Sequence, residues 1–144
     1  MSVTRVSESR VFSTPVQSVW ARVRPTTFDW WSNVVKAEVE GHADQVGSVR
    51  KVTFKDGTVQ KLKILELSDL DNFVTYEVIE SNPPIDVLAA IHTIRLRKVT
   101  FDNSTFVEWT SDFSSGSNTS AVVEDSRFKK REAFADLSTA LAKH

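Results

Sequence analysis

The chain has 144 residues, 40 % of them hydrophobic and 26 % charged, which suits one soluble domain with a core of its own. A formal net charge of -1 gives no basic surface for nucleic acid or an anionic membrane. Cys is absent, which excludes disulfides, thiolate metal sites and a Cys nucleophile.

Val3–Phe12 reads as a strand rich in β-branched residues, with charge on both faces, as at a sheet edge. Ser13-Thr14-Pro15 signals a helix start, a hydroxyl cap followed by Pro in the first turn. Val16, Val19, Trp20 and Val23 form the apolar stripe of that helix, which ends by Arg24 before Pro25. Thr26–Trp31 reads as a second short helical turn, so that two helices make a compact V.

From Asn33 the pattern changes to strands. Val34–Glu40 and Ser48–Phe54 flank a Gly41–Gly47 loop, and Asp56-Gly57 is a strong hairpin signal. Thr58–Leu67 and Phe73–Ser81 follow, joined by the acidic turn Ser68–Asn72. Asn82-Pro83-Pro84 makes an irregular loop through Asp86, because neither Pro can donate to a ladder. Ala89–Val99 and Thr105–Phe113 complete the strands, and the flexible stretch Ser114–Ser120 leads into one long helix from Thr119 to His144. Thr119 or Ser120 is positioned to cap it. Hairpin links make the sheet antiparallel, and a long helix across it gives an α+β layer architecture.

Alternation assigns faces. Val74, Tyr76 and Val78 share one side, as do His92, Ile94 and Leu96, and Val107, Trp109, Ser111 and Phe113. The opposite, solvated face then places Arg95 and Arg97 near Glu108 and Asp112. Val52 and Phe54 carry Arg50 inward with them. An inward Arg needs either a partner or a wet space beside it. On the closing helix, Val123, Arg127, Lys130, Phe134, Leu137 and Leu141 share a face. Phe134, Leu137 and Leu141 read as anchors, and Val123, Arg127 and Lys130 as a cavity wall or mouth.

Strand, two-helix V, six strands and a C-terminal helix is the order of the helix-grip fold. The chain thus resembles the birch-pollen-allergen family, the START lipid-transfer domains and the polyketide cyclase/dehydrase group. It is most similar to the plant branch of lachrymatory-factor synthase and the abscisic-acid receptors. Ser13-Thr-Pro-Val-Gln-Ser-Val-Trp20, Trp30-Trp31, Gly47-Ser-Val-Arg50-Lys-Val, Leu65-Glu-Leu-Ser-Asp69, Thr75-Tyr-Glu-Val78 and Phe106-Val-Glu-Trp109 carry the likeness. The resemblance implies a curved seven-stranded antiparallel sheet around the long helix, enclosing a cavity for a small molecule or lipid. It also matches Arg50 to a catalytic Arg of the synthase, whereas Leu62 or Lys63 stands where that enzyme has a Glu. The receptors' long gate loop is here only the Asp56-Gly57 hairpin.

Three function classes follow. The first is a carrier or binding protein for a small hydrophobic or amphipathic molecule. The second is a cofactor-free lyase, cyclase or isomerase, with Arg50 polarising the substrate and Tyr76 or His92 moving a proton. The third is an interaction domain of chaperone-activator type. The expected ligand-binding set is Arg50, Val52, Tyr76, Val78, His92, Ile94, Trp109, Trp31 and Arg127; of the adjacent Trp30 and Trp31, one is expected to face the cavity. His42, His92 and His144 show no metal-ligand spacing, so neither a metal nor a cofactor is expected. Asp69 and Asp71 read as a solvated turn. The expected partners are a small hydrophobic ligand, with no nucleic acid and no membrane insertion, in a monomer or weak dimer. The longest wholly apolar run is Val87–Ile91 and the N-terminus has no signal-peptide pattern, so a cytoplasmic location is expected and the Asn103 and Asn118 glycosylation triplets carry no weight.

Overall fold

The computed structural model describes residues 3–85, 89–114 and 119–143. The expectations for Asp86, for Val87 and Leu88 within the apolar run, for linker residues 115–118 with the Asn118 triplet, for a Thr119 side-chain cap and for His144 lie outside the described residues.

Seven strands form one antiparallel sheet in the order β1-β7-β6-β5-β4-β3-β2. They are β1 (Val3–Phe12), β2 (Val34–Glu40), β3 (Val49–Phe54), β4 (Val59–Ser68), β5 (Phe73–Asn82), β6 (Ala90–Val99) and β7 (Ser104–Ser114). A meander of hairpins runs from β2 to β7, and β1 returns to pair with β7, so the charged first strand is an edge, as its composition suggests. Register shifts between Val34 and Lys36, Lys61 and Leu62, and Ile64 and Glu66 break the ladder locally. Such bulges bend strands, which lets a sheet curl around a helix.

Helix α1 spans Val16–Val23 and helix α2 spans Thr119–Ala142. The expected hydroxyl cap of α1 does not form. Pro15 itself is the N-cap, and its carbonyl accepts the amides of Ser18 and Val19 at 3.1 and 3.2 Å. The expected second helix is also absent. Thr26 and Phe28 have φ of 57° and 53°, a left-handed conformation that no α-helix accommodates, so residues 24–33 are linked turns. This path drives Phe28 and Trp31 into the core, where they are 4 % and 6 % exposed.

The inward faces are those alternation assigns. Val74, Tyr76, Ile94, Leu96, Val107, Trp109, Phe134, Leu137 and Leu141 all lie in the main core. On the outer face the charge pairing is only partly as expected. Arg95 faces Glu108 across the ladder, but Arg97 faces Phe106 and Asp112 faces Ile91. Asp112 instead accepts Arg5 of β1 at 2.7 Å, and Arg95 lies over the Phe73 ring at 4.2 Å. The β1 pairing, invisible in local sequence, takes the carboxylate.

The two long elements are clasped at the sheet edge. Glu8 of β1 accepts Arg127 at 2.9 Å and Arg131 at 2.7 Å. Burial opposes ionisation of Glu8, but the hydrogen bonds and charges of Arg131 and Arg127 outweigh it and hold the carboxyl below its ordinary range. On the other side, Trp31 Nε1 donates to Glu132 at 2.9 Å, and the Ser32 hydroxyl donates to Asp136 at 2.6 Å. The acidic turn is more than solvated: Asp69 accepts Trp20 Nε1 at 2.8 Å and Arg24 Nε at 2.7 Å, which ties the β4–β5 turn to α1.

Candidate functional site

A cavity of about 380 Å³ lies between the inner face of the sheet and the N-terminal half of α2. Leu62, Tyr76, Val78, His92 and Trp109 line it from β4–β7, Phe28 and Trp31 from the turns after α1, and Val122, Ser126 and Lys130 from α2. Asp56, Thr58, Ile85, Asp125 and Lys129 also border it. Asp125 and Lys129 form an ion pair of 2.9 Å one helical turn apart. The size is within the range of pockets that hold small organic molecules.

The walls are aromatic. Phe28 stacks on Trp109 with ring centroids 5.5 Å apart and planes 10° apart, and Trp31 meets both rings edge-on. Tyr76 stacks on His92 at 4.9 Å, and Phe113 abuts the imidazole at 5.9 Å. Register explains the Tyr76–His92 contact: the two residues are direct partners across β5 and β6.

One wall is polar. Lys130 is 3 % exposed, yet its Nζ has no carboxylate within ion-pair distance among the described residues. It donates to Ser111 Oγ at 2.5 Å and to Ser126 Oγ at 2.6 Å, and lies 5.3 Å from the centroid of Trp109. Ser111 Oγ is in turn 2.5 Å from His92 Nδ1. With Lys130 Nζ donating to Ser111 Oγ, the Ser111 proton is free to go to Nδ1, which puts the imidazole proton on Nε2. Burial pushes the Lys130 amine down to about 7; Glu8 and Asp125 oppose this, and Arg127 and Lys129 reinforce it. Burial, then the Lys130 charge, lowers His92 to about 3, so the ring is neutral at ordinary pH. Burial raises the Tyr76 hydroxyl far above its usual value. The Trp109 indole is close enough to oppose that rise slightly, but its buried N–H meets hydrogen-bond geometry with no described group.

Of the residues singled out in the sequence, Trp31, Tyr76, Val78, His92 and Trp109 line the cavity, and Arg50, Val52, Ile94 and Arg127 do not. Val52 and Ile94 are 0 % and 2 % exposed in the packed core. Arg127 is drawn outward to Glu8. Arg50 is inward and 1 % exposed, but away from the cavity. Its Nε donates to the Pro25 carbonyl at 2.9 Å, one terminal nitrogen to Ser48 Oγ at 2.6 Å, and the other to the Ala43 carbonyl at 2.8 Å. Arg50 therefore fastens two loops to β3. Its partners are a side-chain hydroxyl and loop carbonyls. Trp30 also turns away, donating to the Arg22 carbonyl at 3.0 Å.

Sequence reasoning placed Lys130 on the cavity wall or mouth, where it lies, but did not count it among the binding residues, and it missed Phe28. Phe28 depends on a left-handed backbone that leaves no trace in a non-Gly sequence. Among the described residues no three His, Asp or Glu side chains gather as metal donors. No helix among the described residues is long and apolar enough to cross a membrane.

No family model matches the chain, and no curated protein matches it significantly. Solved structures do. A protein from Nitrosospira multiformis is 26 % identical, with a TM-score of 0.84 over 96 % of each chain. The protein XoxI from Bacillus cereus is 19 % identical, with a TM-score of 0.82 over 99 % of this chain and 97 % of that one. Ara h 8.0201, a Bet v 1-like protein, is 15 % identical, with a TM-score of 0.81 over 99 % of this chain and all of that one. The fold is thus the helix-grip fold, with one short helix after the first strand rather than two.

Proposed function

We propose that the chain binds a small, flat, largely apolar molecule carrying a polar end, held between the sheet and α2. The observation that carries this reading is the cavity itself, with Phe28, Trp31, Tyr76, Trp109 and Phe113 on its wall and a buried polar cluster of Lys130, Ser111 and His92. An interaction domain would have no use for an open interior of this kind. The synthase-like reaction is disfavoured, because Arg50 is engaged by loop oxygens and Leu62, which lines the cavity, offers no carboxylate.

A catalytic reading has one observation in its favour, the buried amine of Lys130 beside a neutral imidazole and a tyrosine hydroxyl. Carrier and enzyme share the cavity, so one variant tests the binding step of both. Val78 is half-buried on the cavity wall. Val78→Trp is expected to fill the space and weaken binding of an environment-sensitive naphthalene probe at least about tenfold, since a filled apolar pocket loses its contacts outright. Fluorescence titration of both proteins measures this. Unchanged affinity in a folded Val78→Trp protein would place the ligand elsewhere.

A further inference from the structure

We propose that Lys130 is a covalent capture residue, forming an imine with an aldehyde or ketone that enters the cavity. This deepens the reading above and rests on it: the carbonyl compound is the small aromatic or apolar ligand, and its carbonyl is the polar end.

The geometry points to a carbonyl through the donors and acceptors left over. A neutral amine has two N–H groups and one lone pair. Both donors have a partner, Ser111 Oγ at 2.5 Å and Ser126 Oγ at 2.6 Å, so the lone pair is the unused valence. No described carboxylate neutralises an ammonium there, and Glu8, the nearest acidic side chain across the sheet edge, is already engaged by Arg127 and Arg131. A buried amine without a counter-ion favours the uncharged, nucleophilic form. The pKa of about 7 agrees with that form being well populated at neutral pH. The Trp109 N–H, a buried donor on the same wall without a described partner, is suited to receive an oxygen.

The reaction balances without a co-reactant. The Nζ lone pair adds to the carbonyl carbon, and one Nζ proton ends on the carbonyl oxygen to give a neutral carbinolamine. The hydroxyl then leaves with the second Nζ proton as water, and the C=N bond remains. Ser111 and Ser126 are positioning residues that aim the amine. Lys130 is the residue that reacts.

The test uses the intact protein at neutral pH with 2-naphthaldehyde as probe and cyanoborohydride to trap any imine. Intact-mass spectrometry is expected to show one naphthylmethyl group added, and peptide mapping to place it on Lys130. Labelling is expected to be at least about tenfold faster than at lysines away from the cavity such as the exposed Lys36. An excess of 2-methylnaphthalene, which fits the cavity but cannot form an imine, should suppress the label. Lys130→Arg keeps a cation there, lacks the nucleophile and should lose the adduct. The proposal is overturned if 2-methylnaphthalene binds but the adduct is spread over surface lysines at similar rates. It is equally overturned if 2-naphthoate binds in a Lys130-dependent way while no imine can be trapped, because Lys130 would then serve charge recognition. If neither naphthalene compound binds and no site is labelled selectively, the cavity reading fails together with this one.

Discussion

Lys130→Met is expected to raise stability below pH 7, by about 2 kcal/mol. The folded chain buries an amine whose pKa falls from 10.5 to about 7, chiefly by desolvation. By linkage that fall corresponds to a penalty of about 5 kcal/mol when both states are protonated. Losing the hydrogen bonds to Ser111 and Ser126 offsets part of the gain. The direction with pH follows from proton counts. Below pH 7 folded and unfolded chains both hold the proton, and the penalty is complete. Between about 7 and 10.5 the unfolded chain holds a proton that the folded chain has shed, so wild-type stability rises with pH. The advantage of Lys130→Met should therefore shrink from pH 7 upward, vanish near about pH 8.5 and reverse above it. The groups facing the amine are Glu8 from β1, His92 from β6, and Asp125, Arg127 and Lys129 from α2. Burial and the Lys130 charge keep His92 neutral throughout this window. Urea unfolding at pH 6, 8 and 10 measures the effect. A Met variant less stable at pH 6 would mean that the hydroxyl contacts outweigh desolvation. A buried amine that costs stability is of the kind kept for function rather than for the fold.

Arg50→Met is expected to do the reverse: to cost about 3 kcal/mol and leave probe affinity unchanged in the folded fraction. The side chain is 1 % exposed and satisfies the carbonyls of Pro25 and Ala43 as well as Ser48. Hydrogen bonds to a charged group contribute about 1.5–3 kcal/mol each, and a buried carbonyl left without a donor costs further. Met keeps the bulk and removes every donor. The midpoint of urea unfolding together with a probe titration separates the two effects. A stable variant that has lost probe binding would restore the ligand role the sequence suggests for Arg50.

These two residues show what the chain discloses before it is folded. Alternation placed Tyr76, His92, Trp109 and Ser111 on one face, because a strand side chain has only two directions to choose from. The same rule placed Arg50 inward. Its partners come from loops after α1 and before β3, where no period operates, so the sequence could not distinguish a ligand contact from a loop fastener. Lys130 fell on the anchor stripe of α2, but a Lys on a helix ordinarily lifts its amine to water. Its burial is supported by Ser126 one turn earlier and by Ser111, nineteen residues earlier on β7, a contact no helical period discloses. The second helix failed for a related reason: the left-handed turns at Thr26 and Phe28 are imposed by packing, against local preference.

The amine above Trp109 also makes the cavity legible by light. Trp31 and Trp109 line the cavity, whereas Trp20 and Trp30 are held elsewhere by Asp69 and the Arg22 carbonyl. A positive charge 5.3 Å from the Trp109 ring shifts the energy of its excited state, and loss of the proton removes that shift. Intrinsic emission should therefore change with a midpoint near pH 7 in the wild type and not in Lys130→Met, in a scan of unliganded protein. A flat wild-type profile would mean that the amine does not titrate there. The chain thus contains its own indicator dye, reporting the protonation state of the buried cavity amine.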